Sequence, residues 1–180
     1  MKRLDHQKGF TLLELLIVIG ILAVLATITI LVINPVQQIN NARTRGTQQS
    51  IDQLADAMIK IKGFTGTSLV QITGSVCSDC PCRITTATVD TIPTCITNWD
   101  SALANITAMG TSSAVTSDLS AFTRDSWGDP FLLDENEGEF GGCGHDILRS
   151  AGPDRIYGTA DDIYPHGSAT YIINTTPACQ

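Results

Sequence analysis

No charged residue occurs between Leu15 and Ile33, no cysteine precedes Gly63, and bases are scarce enough that the 180-residue chain carries a net charge of −7. Each shortage excludes something. An uncharged apolar run of that length is the mark of a membrane-spanning helix. It is too long for the apolar core of a secretory signal, about 7–15 residues, and no A-x-A cleavage site closes it. The C-terminal part has no basic patch to hold phosphates, so it is not expected to bind nucleic acid. No nucleophile elbow or metalloprotease motif is present, which argues against an enzyme. A membrane-anchored secreted hydrolase would have to build its site from His145, Asp146 and distant partners. A single-pass anchored binding protein is the blander alternative. No internal repeat or long low-complexity tract is found.

What is there begins at the N-terminus. Lys2, Arg3 and Lys8 against Asp5 leave residues 1–9 with a charge of +2. Phe10 to Ile33 follows, 24 residues that span about 36 Å as a helix, more than the roughly 30 Å hydrocarbon core of a bilayer. The positive head keeps the leader cytoplasmic and sends the rest of the chain outside. One carboxylate, Glu14, interrupts the apolar face. A buried acid there costs about 2.5–3.5 kcal/mol or more, and an ordinary anchor has no use for it.

Gly9-Phe10-Thr11-Leu12-Leu13-Glu14 resembles the class III signal of type IV pilins and of the pseudopilins of type II secretion. The resemblance implies cleavage between Gly9 and Phe10 by a prepilin peptidase, and N-methylation of the new N-terminus at Phe10. It also implies a structural subunit that assembles with copies of itself and minor pilins on a membrane platform. Such a subunit sits in the cytoplasmic membrane as a single-pass protein before assembly and in an extracellular or periplasmic filament afterwards. Glu14 would then complement the positive end of its own helix, worth about 0.3–1 kcal/mol at an exposed site. In the family it also meets the Phe10 ammonium of a neighbouring subunit and sets the register. The bland reading is that Glu14 only accepts from N–H groups of its own helix.

Asn34-Pro35 interrupts the apolar helix, and a kink is expected there. The family's commoner proline lies a turn earlier, where this chain has Leu31. Beyond it Val36, Ile39, Ala42, Ile51, Leu54, Met58 and Ile61 recur at mostly helical spacing, with polar residues between them, so residues 34–62 read as an amphipathic continuation. Gly46 is its weak point. Together Phe10 to Lys62 would make a spine of roughly 80 Å. Residues 63–180 form one globular head. Strand-like runs lie at 130–133, 146–149 and 170–173 among Gly- and Pro-rich loops. Short helices are expected at 99–106, with Asn98 as N-cap, and at 115–122. The fold class is α+β, a long N-terminal helix packed on a small antiparallel sheet.

All six cysteines, Cys77, Cys80, Cys82, Cys95, Cys143 and Cys179, fall in the head. Outside the membrane an even count predicts three disulfides among 15 connectivities. Cys82–Cys95 and Cys143–Cys179 are two expected pairs. Cys77-x-x-Cys80-x-Cys82 also resembles half a zinc site, but no second C-x-x-C follows, and His145 and His166 lack ligand spacing.

Charge concentrates late. Residues 125–162 hold ten acids against Arg149 and Arg155, a charge of −8. A solvated acidic loop accounts for residues 134–139. It accounts less well for Asp154, Asp161 and Asp162, which sit on a Gly-Pro turn and after a glycine, an oxygen-rich loop suited to calcium. The spacing is not that of an EF-hand. Asp125-Ser126-Trp127-Gly128-Asp129-Pro130-Phe131 resembles a stretch of major type II pseudopilins, with Ser126, Asp129 and Phe131 as departures. Ser150-Ala151-Gly152-Pro153-Asp154 followed by Asp161-Asp162-Ile163 resembles their calcium loop. That resemblance implies Ca2+ held by the side chains of Asp154, Asp161 and Asp162 and the carbonyls of Ala151 and Ile156. Trp127 is expected to be a core residue in either case.

Overall fold

A computed structural model describes residues 10–32, 35–83, 86–114, 118–135 and 146–166. It separates into two compact units, Met1–Ile39 and Asn40–Gln180. The first is dominated by helix α1, Leu12–Val32. Its side chains from Leu12 to Ile28 are exposed, the large apolar ones by 49–88% of their surface. Among the described residues none covers them. The polar groups within this helix are answered locally: the hydroxyls of Thr27 and Thr29 donate to the carbonyls four residues back, Ala23 and Leu25, at 2.5 Å each. An apolar surrounding demands that internal satisfaction.

Helix α2 runs over Pro35–Thr65. Pro35 occupies its first position, where the missing N–H is no loss. The expected kink falls on residues 33–34, outside the described residues. The apolar stripe of α2 divides in two. Val36 and Ile39 are exposed, whereas Ile51, Leu54, Met58 and Ile61 are fully buried. Each fully buried side chain of this kind contributes about 1.5–3 kcal/mol. The helix therefore joins the head's core only in its C-terminal half. Gly46, expected as a weakness, lets a neighbouring loop come close: a Cβ there would stand 3.2 Å from the Ser126 hydroxyl.

In the second unit the α+β expectation holds. Helix α3, Leu69–Thr73, is built by a capping box: Ser68 accepts from the Gln71 N–H and Gln71 accepts from the Ser68 N–H, both at 3.3 Å. Helix α4 spans Pro93–Ser112. It starts a turn and a half before the expected 99–106 because Pro93 opens it. Asn98 is consequently not a cap. It lies inside the helix, and its Nδ2 donates to the Cys77 carbonyl at 2.8 Å. Of the helix expected at 115–122, only a short 3-10 turn at Ser120–Phe122 lies among the described residues.

Strands β1, Leu132–Asp134, and β2, Ile147–Arg149, pair antiparallel with Leu133 opposite Leu148. The strand expected at 170–173 lies outside the described residues. An isolated two-stranded ribbon is marginal in water; this one is covered on both faces. Phe131, Leu133 and Leu148 enter a core with α2, α3 and α4, centred on Trp99. Leu132 points the other way, into a smaller cluster with Cys82, Val89, Cys95 and Ala151, as strand alternation requires. Trp99 meets Phe131 edge-on at 5.7 Å between centroids and donates its Nε1–H to the Phe122 carbonyl. Trp127 packs, half-buried, against the main core.

Candidate functional site

At the N-terminal end the geometry is a second capping box. The Glu14 N–H donates to the Thr11 hydroxyl at 3.2 Å. The Glu14 carboxylate accepts from both the backbone N–H and the hydroxyl of Thr11 at 3.0 Å. Two of the helix's orphan donors are met, and the negative charge lies over the positive end of the helix dipole. The local role of Glu14 is thus realised within one chain. Phe10 is exposed just before it, and Gly9 lies outside the described residues. Sequence reasoning missed Thr11 as the partner, although Thr-x-x-Glu ahead of an apolar run is the signature of this cap.

The acidic region of the head is a set of closed turns. Asp125 organises the first: one carboxylate oxygen accepts from the N–H groups of Trp127 and Asp129 at 2.9 Å, the other from the Ser150 hydroxyl at 2.6 Å. Burial pushes the Asp125 carboxyl up despite these bonds. Buried Asp129 takes both guanidinium arms of Arg155, at 2.8 and 2.9 Å, the strong fork geometry. Arg155 also pairs with Asp90 and holds a left-handed backbone at φ 63°.

The 151–162 loop is closed at its neck, where Ser150 and Ile163 exchange two N–H···O bonds of 2.9 Å. Gly152, at φ 67°, lies so close to the Asp161 carbonyl that a Cβ would collide with it. Asp154 accepts from the Ile156 N–H at 2.8 Å. Asp161 accepts from the Asp154 N–H and the Thr159 hydroxyl. Burial raises the Asp161 carboxyl, but those hydrogen bonds outweigh it and hold the group below its ordinary value. Asp162 accepts from Gly158 and Thr159 N–H groups and faces the Arg149 guanidinium at 3.4 Å. Burial keeps the Asp162 carboxyl above its ordinary value. The donors have the right chemistry for a hard cation, and the fold brings all three carboxylates onto one loop. It does not gather their oxygens: among the described residues, only Cys77, Cys80 and Asp134 bring potential ligand atoms within 4.8 Å of one another.

That group is no metal half-site as it stands, because Cys77 and Cys80 are joined in a disulfide. Cys82 and Cys95 form a second one, as expected. Cys143 and Cys179 lie outside the described residues.

Asp134, taken as part of a solvated loop, is not solvated, and two further acids of the head are buried with it. Asp134 is buried and paired with Arg83. Asp146 is buried with Lys62 at 2.6 Å, which makes it a structural anchor and removes one of the two residues a hydrolase would have used. The other, His145, lies outside the described residues. Asp79 is fully buried between Arg149 and Arg83, and burial raises its carboxyl over the pull of those cations. Arg149 also stacks on the rings of Tyr157 and Tyr164, at 4.5 and 5.5 Å.

Residues 4–30 match the prokaryotic N-terminal methylation motif. The chain carries a pilin-type N-terminus. The match covers residues 4–9 of the leader, Phe10, the Thr11–Glu14 cap and most of α1. No curated protein and no solved structure matches the chain significantly. The motif supports a type IV pilin-like or pseudopilin precursor. It points to a structural subunit rather than an enzyme, and it implies processing by a prepilin peptidase and assembly with other pilins. Leu12–Thr29 is long and apolar enough to cross a membrane, which fits a membrane-anchored precursor.

Proposed function

We propose that this pilin-like precursor is cut between Gly9 and Phe10, methylated at Phe10, and assembled through α1 into a type IV pilus-like filament or a type II secretion pseudopilus. The observation that carries the proposal is the methylation motif laid on a helix whose apolar surface is bare all round. Such a surface needs lipid first. In a filament, the same surfaces of neighbouring copies replace the lipid. Glu14 has one role in each state. In the membrane the Thr11 cap holds the carboxylate. In the filament the Phe10 ammonium of an adjacent copy offers a full positive charge, and the pairing fixes the axial register. Mass spectrometry of the chain from its native host tests this: the mature form should begin at Phe10 and carry one methyl group. A mature chain beginning at Met1 overturns the reading.

Calcium belongs to the same proposal. Asp154, Asp161 and Asp162 would hold it with the carbonyls of Ala151 and Ile156, and the ion would supply positive charge to a loop that otherwise relies on amides and Arg149. Support comes from the closed neck and from the hard-oxygen donors on one short loop. Binding requires the carboxylates to exchange N–H partners for the ion.

A further inference from the structure

We propose that Cys77–Cys80 is a thiol–disulfide exchange site, opened and reclosed by dithiols while the head stays folded. The two disulfides among the described residues differ in access. Cys82 and Cys95 are fully buried in the smaller core cluster. Cys80 is exposed and Cys77 half-exposed. They also differ in what they hold. Cys82–Cys95 ties a segment 13 residues apart, whereas Cys77–Cys80 spans only three, so opening the latter releases little chain entropy.

The Cys77–Cys80 turn is held by bonds that do not involve sulfur. The Ser78 and Asp79 N–H groups both donate to the Leu133 carbonyl, at 3.0 and 3.1 Å. The Leu133 N–H returns a bond to the Ser78 hydroxyl at 2.7 Å. Asn98 holds the Cys77 carbonyl, and the Cys82 N–H donates to the Asp79 carbonyl at 2.9 Å. Strand β1 and helix α4 thus keep both sulfurs in place when the S–S bond is gone.

The chemistry balances without a cofactor. A thiolate of a dithiol attacks the exposed Cys80 sulfur, forming a mixed disulfide and breaking the Cys77–Cys80 bond. Cys77 leaves as a thiolate and accepts the Cys80 N–H, which lies 3.0 Å from its sulfur; such a bond favours the charged form. The dithiol's second thiolate then attacks its own sulfur in the mixed disulfide and departs as a cyclic disulfide. Cys80 is released as a thiolate, two electrons have passed to the head, and each cysteine takes up one proton. Reclosing runs backwards with a cyclic disulfide as oxidant.

The test uses the full oxidised chain in detergent, dithiothreitol as the dithiol, timed alkylation with iodoacetamide and peptide mass spectrometry. Cys77 and Cys80 should be labelled at least about tenfold faster than Cys82 and Cys95, with tryptophan fluorescence unchanged. Equal labelling of the two pairs overturns the proposal, as does loss of native fluorescence with the first label. A Cys77→Ala/Cys80→Ala double variant, which lacks this pair, should stay folded. If it is unfolded, the pair is a structural staple and the proposal fails.

Discussion

Helix α1 and helix α4 have similar lengths and opposite fates. Both are rich in small and aliphatic residues. In α1 the apolar side chains cover every face, and among the described residues they are exposed. In α4 they occupy one side, where Trp99, Ala102, Leu103 and Ile106 are buried against α2 and the sheet. A helix apolar all round is made for a surrounding the chain does not supply, whereas a one-sided helix is made for its own fold. On the proposed function α1 serves assembly and α4 the stability of the head, so damage to one should leave the other's task intact.

The largest effect that sharpens this contrast is at the processing site. Gly9→Val should leave the head folded and abolish cleavage, since a branched side chain obstructs a site that takes glycine. Immunoblotting should then show only the longer precursor, and a normal amount of mature chain would break the assignment. Next is the core. Trp99→Ala should destabilise the head by about 3–5 kcal/mol, read as a lower melting temperature of the full chain in detergent, with cleavage after Gly9 unaffected. A Trp99→Ala chain that melts like the parent would mean α4 does not organise the core.

Glu14→Leu comes third. Membrane insertion should persist or improve, because a charge is removed from an apolar helix, and electron microscopy should find filaments absent or irregular. Regular filaments made wholly of Glu14→Leu subunits would leave Glu14 with only its local bond to Thr11. Calcium is fourth. At a hundredfold excess over its dissociation constant the ion stabilises the head by about 2.7 kcal/mol, so chelation should lower the melting temperature, and Asp154→Ala should abolish the response. Identical melting in calcium and in chelator would return residues 151–162 to an ordinary hydrogen-bonded loop.

The smallest expected effect compares two acids of the same region. Burial raises the folded-state carboxyl of Asp125, so its contribution is fully present below the unfolded value near 3.9 and is lost as pH rises through the folded one. Hydrogen bonds lower that of Asp161 against burial, so its contribution is present above the unfolded value and is lost as pH falls through the folded one. Melting of Asp125→Asn and Asp161→Asn from neutral pH down to about pH 3 should therefore change slope in opposite directions relative to the parent. Slopes shifted the same way would contradict this division of roles.

Legibility follows the range of the interactions. The run of α1 involves residues within a few positions of one another, and pattern alone reveals it; the Thr11–Glu14 cap is just as local but was missed. Strands β1 and β2 and the Cys82–Cys95 bridge are legible for nearly the same reason, being short runs or near neighbours in the chain. Helix α3 escaped notice because it has five residues, too few for a period, although its Ser68–Gln71 cap was in view. The start of α4 was misplaced because Asn98 resembles a cap, whereas Pro93 sets the boundary.

Taken alone, residues 1–33 determined that the chain carries a prokaryotic N-terminal methylation motif on a membrane-length helix. An apolar run, a charged leader and one carboxylate need no distant partner to declare themselves. Only the tertiary structure decided what the acids of the head do. Counted along the chain, residues 125–162 form an unanswered block of negative charge. Folded, Asp134 meets Arg83, Asp146 meets Lys62, Asp129 meets Arg155, and Arg149 stands between Asp79 and Asp162. A buried carboxylate requires a cation within a few ångströms. Distance in space, which composition does not record, decides which cation answers each acid.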